Sequence, residues 1–338
     1  MFKIVLHLLV FDFICSMRYN VPHKIKQFFF VLLKLSIVVG AVYFIYYKIV
    51  ENENLEFNKF VAFLKENDVF SLKNSIILIV LSSFNWFFEI LKWKHLVYIV
   101  KPISFKSALE QSLGGLTASL ITPNRIGDYG AKAIYYTKRF RTKIVLLNLL
   151  GNMAQMTITT LLGAIGLLLF INHYPIALNY YKIVGVGILI IILGLLVFFG
   201  ITQKRFKIKG FSVSFIIDFI KSITLKAHGI NLSISLIRYL IFSFQFYYLL
   251  TLLGVEITYY DAMVIITSMY LLASIVPTIS IFDVVVKGSI AVFLFSYIDI
   301  NEFIILSVTS LMWLLNFVIP SIFGSYFVLN FRLPKPVE

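Results

Sequence analysis

The chain has 338 residues, of which 60% are hydrophobic and only 14% charged, and its mean hydropathy is +0.92. A soluble domain carries nearer a quarter charged residues, so the composition excludes an ordinary water-soluble globule and indicates an integral membrane protein. The formal net charge is +14, but the basic residues fall in short runs between apolar segments, the pattern of cytoplasmic loops and not of a nucleic-acid surface. A single cysteine, Cys15, allows neither an intrachain disulfide nor a cysteine-based metal cluster.

Residues 1–27 read as an N-terminal extension. Positions 1–16 are apolar but short and are interrupted by Asp12; they fit a signal-like segment, an interfacial helix, or an extension ahead of Met17. From 28 to 338 the chain reads as one transmembrane domain. Residues 28–47 are long enough to cross about 30 Å of hydrocarbon. Arg18, Lys24 and Lys26 precede them and set the N-terminal side in the cytoplasm. The loop at 48–73 has four lysines against five acids and is expected outside. A span at 75–91 returns to Lys92, Lys94, Lys101 and Lys106, with Trp86 and Trp93 expected as interfacial aromatics near its cytoplasmic end. Glu89 is either a snorkelling or locally paired carboxylate or a substrate-facing acid.

Residues 107–122 are rich in small side chains, short for a span, and stopped by Pro123. Basic runs flank 107–136 on both sides, so this segment is expected to enter and leave by the same face as a re-entrant helix pair, tolerable only within protein or a water-filled cavity. The span at 144–171 crosses outward and that at 183–201 returns. Within the linker 202–229, residues 211–229 suggest an amphipathic helix on the cytoplasmic interface. A span at 231–253 carries Arg238 near its cytoplasmic third. Residues 260–298 lie between acidic loops and are expected to enter and leave from outside, and 303–329 crosses back to Arg332 and Lys335. Both termini are therefore expected in the cytoplasm.

The sequence uses one segment twice. ASLITPNRIGDYGAK at 118–132 and ASIVPTISIFDVVVK at 273–287 are 155 positions apart, which aligns Asp128 with Asp283 and Lys132 with Lys287. In each copy a proline breaks an apolar helix, and an acid and a base follow four residues apart on one helical face. With the charge asymmetry, the register gives two repeats of inverted topology, about 75–171 and 230–329. Inverted repeats with broken helices commonly build a central transport site. The expected fold is all-α: about six full transmembrane helices plus two re-entrant pairs, with eight transmembrane helices as the alternative.

No enzyme constellation is found. The five histidines make no metal-ligand spacing, and hydrolase, zincin, phosphate-loop and dinucleotide motifs are missing. A non-enzymatic protein without cofactor or metal is expected. The candidate substrate-binding residues are Arg125, Asp128, Lys132, Arg238, Asp283, Lys287 and Glu89, with Glu110 and Gln245 behind them. The two acid–base pairs either cancel one another and pin the helices, or line a cavity in which the bases meet phosphate and the aspartates meet ammonium or hydroxyl groups.

The segments ITPNRIGDYGAK at 121–132 and SIVPTISIFDVVVKG at 274–288 resemble the two signature segments of the lysylphosphatidylglycerol synthase transmembrane-region family. This is the flippase-like membrane domain found fused to an aminoacyl transferase in multiple peptide resistance factors and alone in many bacteria. Asp128, Gly130 and Lys132 match its acid, glycine and base; in the second copy Asp283 and Lys287 match, while Val285 stands where a glycine is expected. The resemblance implies a bacterial inner-membrane protein that binds or moves a lipid or lipid-linked headgroup, without the synthase reaction, since no transferase domain is present. Membrane lipids are the expected partners, with an envelope-biosynthesis enzyme and self-association as further ones and nucleic acid as none. The alternatives are a non-transporting partner of a glycosyl- or aminoacyl-transferase, or a small-solute transporter.

Overall fold

A computed structural model describes residues 39, 57–120, 122, 125–174, 207–208, 211–276 and 280–331. The spans expected at 28–47 and 183–201 lie outside the described residues. The fold is all-α, a polytopic membrane architecture. A short helix α1 (Phe57–Glu66) leads into α2 (Leu72–Tyr98), α3 (Phe105–Leu120), α4 (Ile126–Ile134) and α5 (Lys138–His173). After a two-residue antiparallel pairing of Lys207–Ile208 with Phe211–Ser212 come α6 (Val213–Ser222), α7 (Leu225–Leu252), α8 (Tyr259–Ile275), α9 (Ser280–Phe295), α10 (Glu302–Trp313) and α11 (Ile319–Asn330).

Among the described residues, four helices are long and apolar enough to cross a membrane: α2, α5, α7 and the continuous Glu302–Asn330. They coincide with four of the six expected spans but run further at their ends. Helix α2 continues through Lys92 and Lys94 to Tyr98, and α5 begins at Lys138 inside the basic run. Side-chain charge does not stop the backbone ladder; capping does. Ser71 Oγ accepts from Asn74 N at 3.4 Å and Asn301 Oδ1 accepts from Phe303 N at 2.8 Å. These bonds satisfy N–H groups that have no partner within the helix. Thr224 Oγ1 accepts from Ala227 N and starts α7 at Leu225, so the amphipathic helix expected over 211–229 ends instead at Ser222. Its Phe219, with Ile223 just beyond, packs on the cluster around Trp93 and Tyr136. Because α7 begins earlier than expected, Arg238 stands at its middle and not in one third.

The spans are inside-out relative to a soluble bundle. Ile76, Ile79, Val80, Phe84 and Phe87 of α2, and Leu161, Ile165 and Leu168 of α5, are exposed at helical spacing. Such rows form a surface for hydrocarbon. Inside, two apolar clusters sit towards opposite ends. One joins Leu78, Phe170, Phe246, Leu249 and Ile305, the other Ile90, Trp93, Val97, Ile144 and Leu147. The polar side chains of α2, α5 and α7 lie between them.

The 155-residue offset carries over to helix bounds. Adding 155 to the ends of α3 gives 260–275, and α8 spans Tyr259–Ile275. The packing is reciprocal: α8 lies along α5, α11 lies along α3, and α2 pairs with α7. Close approach is set by glycine. A Cβ on Gly166 of α5 would fall 1.9 Å from Thr267 Oγ1 of α8, and one on Gly324 of α11 would fall 2.2 Å from the Leu113 carbonyl of α3. Small residues at such crossings are how membrane helices gain packing where no hydrophobic driving force separates helix from lipid.

Candidate functional site

Helices α3 and α4 form a hairpin. Gly127 sits against the Ala118 carbonyl, Asp128 and Lys132 against Gly115, and Tyr135 against Gly114, so α4 runs back along α3. At 16 and 9 residues the two are about 24 and 14 Å long, each short of a bilayer's hydrocarbon core. Thr122 Oγ1 accepts from Gly127 N at 2.8 Å, and Arg125 takes left-handed backbone (φ 56°) to start α4.

The hairpin closes one wall of a cavity of about 460 Å³ to which both repeats contribute. Glu89, Arg125, Asp128, Lys132, Arg238 and Lys287 all line it. The structure thus brings together every expected site residue whose side chain it describes. Asp283 lies in α9 outside the described side chains, and Glu110 does not line the cavity.

Two ionic networks are buried in the wall. Lys132 Nζ is 3.1 Å from Asp128 Oδ2 and donates to Asn148 Oδ1 at 2.9 Å, while Asn148 Nδ2 donates to the same Asp128 oxygen at 2.8 Å. The ammonium also lies 4.5 Å from the Trp93 ring centre, a cation–π contact that strengthens as water is excluded. In the second network Glu89 pairs with Lys92 at 2.8 Å and with the Arg238 guanidinium. Lys92 is 3% exposed and belongs to the interior, not to a cytoplasmic loop. Glu89 is paired across two helices and does not snorkel. Trp93 is likewise buried, donating to Gln111 Oε1 at 2.9 Å, and Trp86 donates to the Asn316 carbonyl at 3.0 Å. Neither is the interfacial aromatic expected from its position.

The residues that sequence reasoning missed are amides. Asn85, Gln155, Arg238 and Asn316 occupy the midpoints of the four long helices and are bonded to one another. Arg238 donates to Asn85 Oδ1 and Gln155 Oε1, each at 3.2 Å, and Asn85 Nδ2 donates to Asn316 Oδ1 at 3.0 Å. Asn316 Nδ2 continues to Gln245 Oε1 at 2.9 Å, and Gln245 to Ser82 at 2.9 Å. Asn316 owes its place to Pro320. Proline has no N–H to offer the carbonyl four residues before it. The helix accordingly widens to a π turn over Leu314–Val318, and the Asn316 carbonyl is left to Trp86. Single π turns of this kind are often found at functional sites. Arg238 was already a candidate; helix midpoint is the signal that would have found the three amides beside it.

At the hairpin tip, Arg125 lies 5.8 Å and Lys287 5.6 Å from the ring centre of Phe317, so a base from each repeat converges on one aromatic. Five cations and two carboxylates line the described cavity wall, an excess of three positive charges.

Long apolar helices surrounding a polar, charge-lined cavity built from two matching halves define a polytopic membrane protein with an internal site. Residues 31–324 match the model of the lysylphosphatidylglycerol synthase TM region, and the chain belongs to that family. Membership sets it among membrane proteins of lipid metabolism and transport. No curated protein was found to match the sequence.

Proposed function

We propose that the chain is a non-enzymatic lipid flippase or lipid transporter of the bacterial inner membrane. It would cross the membrane several times with both termini cytoplasmic and take a phospholipid or lipid-linked headgroup into the cavity between two inverted repeats. The observation that carries this reading is the 460 Å³ cavity at the level of the span midpoints, lined by ionic side chains from both halves. Charge at mid-bilayer costs about 2.5–3.5 kcal/mol per group even on permissive scales, and so marks a functional path. Pockets of roughly 300–1,000 Å³ suit compact organic ligands. A headgroup fits such a volume while two acyl chains stay in the bilayer. On this reading α3–α4 and α8–α9 are re-entrant pairs approaching the site from opposite faces, and membrane lipids are the partners.

The test is lipid transfer between leaflets in proteoliposomes. The doubly substituted protein Asp128→Asn, Lys132→Met, which keeps the packing but discharges the pair, is expected to insert normally and to lose transfer. Transfer at the unsubstituted rate would remove the site. A wild-type protein inert in pure lipid would favour a scaffold for an envelope glycosyl- or aminoacyl-transferase.

A further inference from the structure

Each carboxylate described in the cavity wall is already held by a cation: Asp128 by Lys132 with Asn148 alongside, Glu89 by both Lys92 and Arg238. The cations outnumber them, and counting Asp283 as a third carboxylate still leaves an excess of two. Arg125 extends an exposed guanidinium into the cavity from the hairpin tip, against Phe317. An incoming ammonium would therefore meet uncompensated positive charge and have to break a buried ion pair. A phosphate meets the reverse.

The wall carries a second signal. Tyr270 and Ser112 belong to the cavity wall, the residues are 8% and 3% exposed, and among the described residues their buried hydroxyls have no hydrogen-bond partner. A buried hydroxyl without a partner costs free energy. Tyr270 is held edge-on by Tyr239 at 5.8 Å and 83°, which fixes where its hydroxyl points. Trp313, Phe242 and Phe317 continue the aromatic wall around it. Orphan hydroxyls among aromatic rings are suited to a ligand that brings hydroxyls of its own.

We propose that the headgroup taken by the cavity is an anionic polyol phosphate, a phosphate ester carrying free hydroxyls such as phosphoglycerol, and that amine-bearing headgroups are selected against. This rests on the reading of the cavity as a headgroup site. It separates the chain from the aminoacylated lipid in its family's description, whose lysyl ester adds ammonium groups.

Tryptophan fluorescence reads the site directly. The chain has three tryptophans; Trp86 and Trp313 line the cavity and Trp93 lies beneath Lys132. The full chain in detergent is titrated with short-chain phosphatidylglycerol, phosphatidylethanolamine, lysylphosphatidylglycerol, glycerol 3-phosphate and inorganic phosphate. Phosphatidylglycerol is expected to saturate the signal, and both amine-bearing lipids to bind about tenfold or more weakly. Tyr270→Phe and Arg125→Gln are each expected to weaken phosphatidylglycerol by about tenfold, the scale of one hydrogen bond to a charged group. Tyr270→Phe should meanwhile leave the ligand-free thermal midpoint unchanged or raised, because it removes a polar group that lacked a partner. A purely structural tyrosine would lower it.

Amine-bearing lipids binding as tightly as phosphatidylglycerol would overturn the inference and leave the lipid site standing. Inorganic phosphate matching phosphatidylglycerol, with Tyr270→Phe silent, would overturn the polyol part. Saturation by glycerol 3-phosphate as tight as by the lipid would support the chemistry but make the ligand soluble, against the lipid reading. Silence from every probe would overturn both.

Discussion

Asn85, Gln155, Arg238 and Asn316 tie the middles of four spans together by hydrogen bonds between protein groups. The neighbouring triad of Asp128, Lys132 and Asn148 follows the same logic with ions. Removing one partner of a buried ion pair leaves the other uncompensated and costs about 3–5 kcal/mol, whereas removing both is often far cheaper. Lys132→Met alone is thus expected to lower thermal stability in detergent more than the Asp128→Asn, Lys132→Met pair does. A double substitution whose losses simply add would mean that the two groups are not coupled. At this scale the ionic residues were legible in the sequence, because an acid and a base four apart stand out against an apolar background. The amides did not stand out. Asn85, Asn148, Gln155 and Asn316 carry no charge to distinguish them from other polar residues in spans, and their meaning comes from partners tens to hundreds of positions away.

Helices α3 and α11 cross where Gly324 meets the Leu113 carbonyl, and Gly324→Ala would drive a methyl group into backbone. Destabilisation of about 1–3 kcal/mol is expected, as for overpacking a tight interior. Gly130→Ala is the control. A Cβ there meets nothing within 4 Å, so replacing a helical glycine should be neutral or stabilise by up to about 1 kcal/mol. Equal effects at the two sites, read as thermal midpoints, would refute the close crossing. The openness at Gly130 also explains Val285, the expected glycine of the second copy, which is 44% exposed. At neither position does packing demand glycine. The existence of four spans and the break between α3 and α4 were legible from apolar length and proline. Their ends were not. A hydropathy window stops at the first lysine, whereas Lys92 is buried two turns before α2 ends because Glu89, which also pairs with Arg238, receives it.

For the molecule as a whole, the repeat and the cavity follow from one another. On the proposed reading, two copies of a broken-helix module, inverted relative to one another, bring ionic residues of both halves to a shared centre. Residues 128 and 287 line one space although 159 positions separate them. The offset in the sequence announced the repeat, but not that α8 would lie on α5 and α11 on α3, since that depends on glycines whose role appears only at the crossing. Inversion makes a prediction about sides. In a Cys15→Ser background, a cysteine placed at Thr137 and one at Ile300 should react with impermeant thiol reagents from opposite faces of oriented vesicles. Labelling of both from one face would contradict it.

An experimental structure of the full chain in a phosphatidylglycerol-containing nanodisc bears most directly on the lipid reading. Headgroup density is expected between the hairpin tip and α8, within hydrogen-bond reach of Arg125 and Tyr270, with acyl density leaving between helices. Lipid confined to the outer belt, with the cavity holding only water, would contradict it.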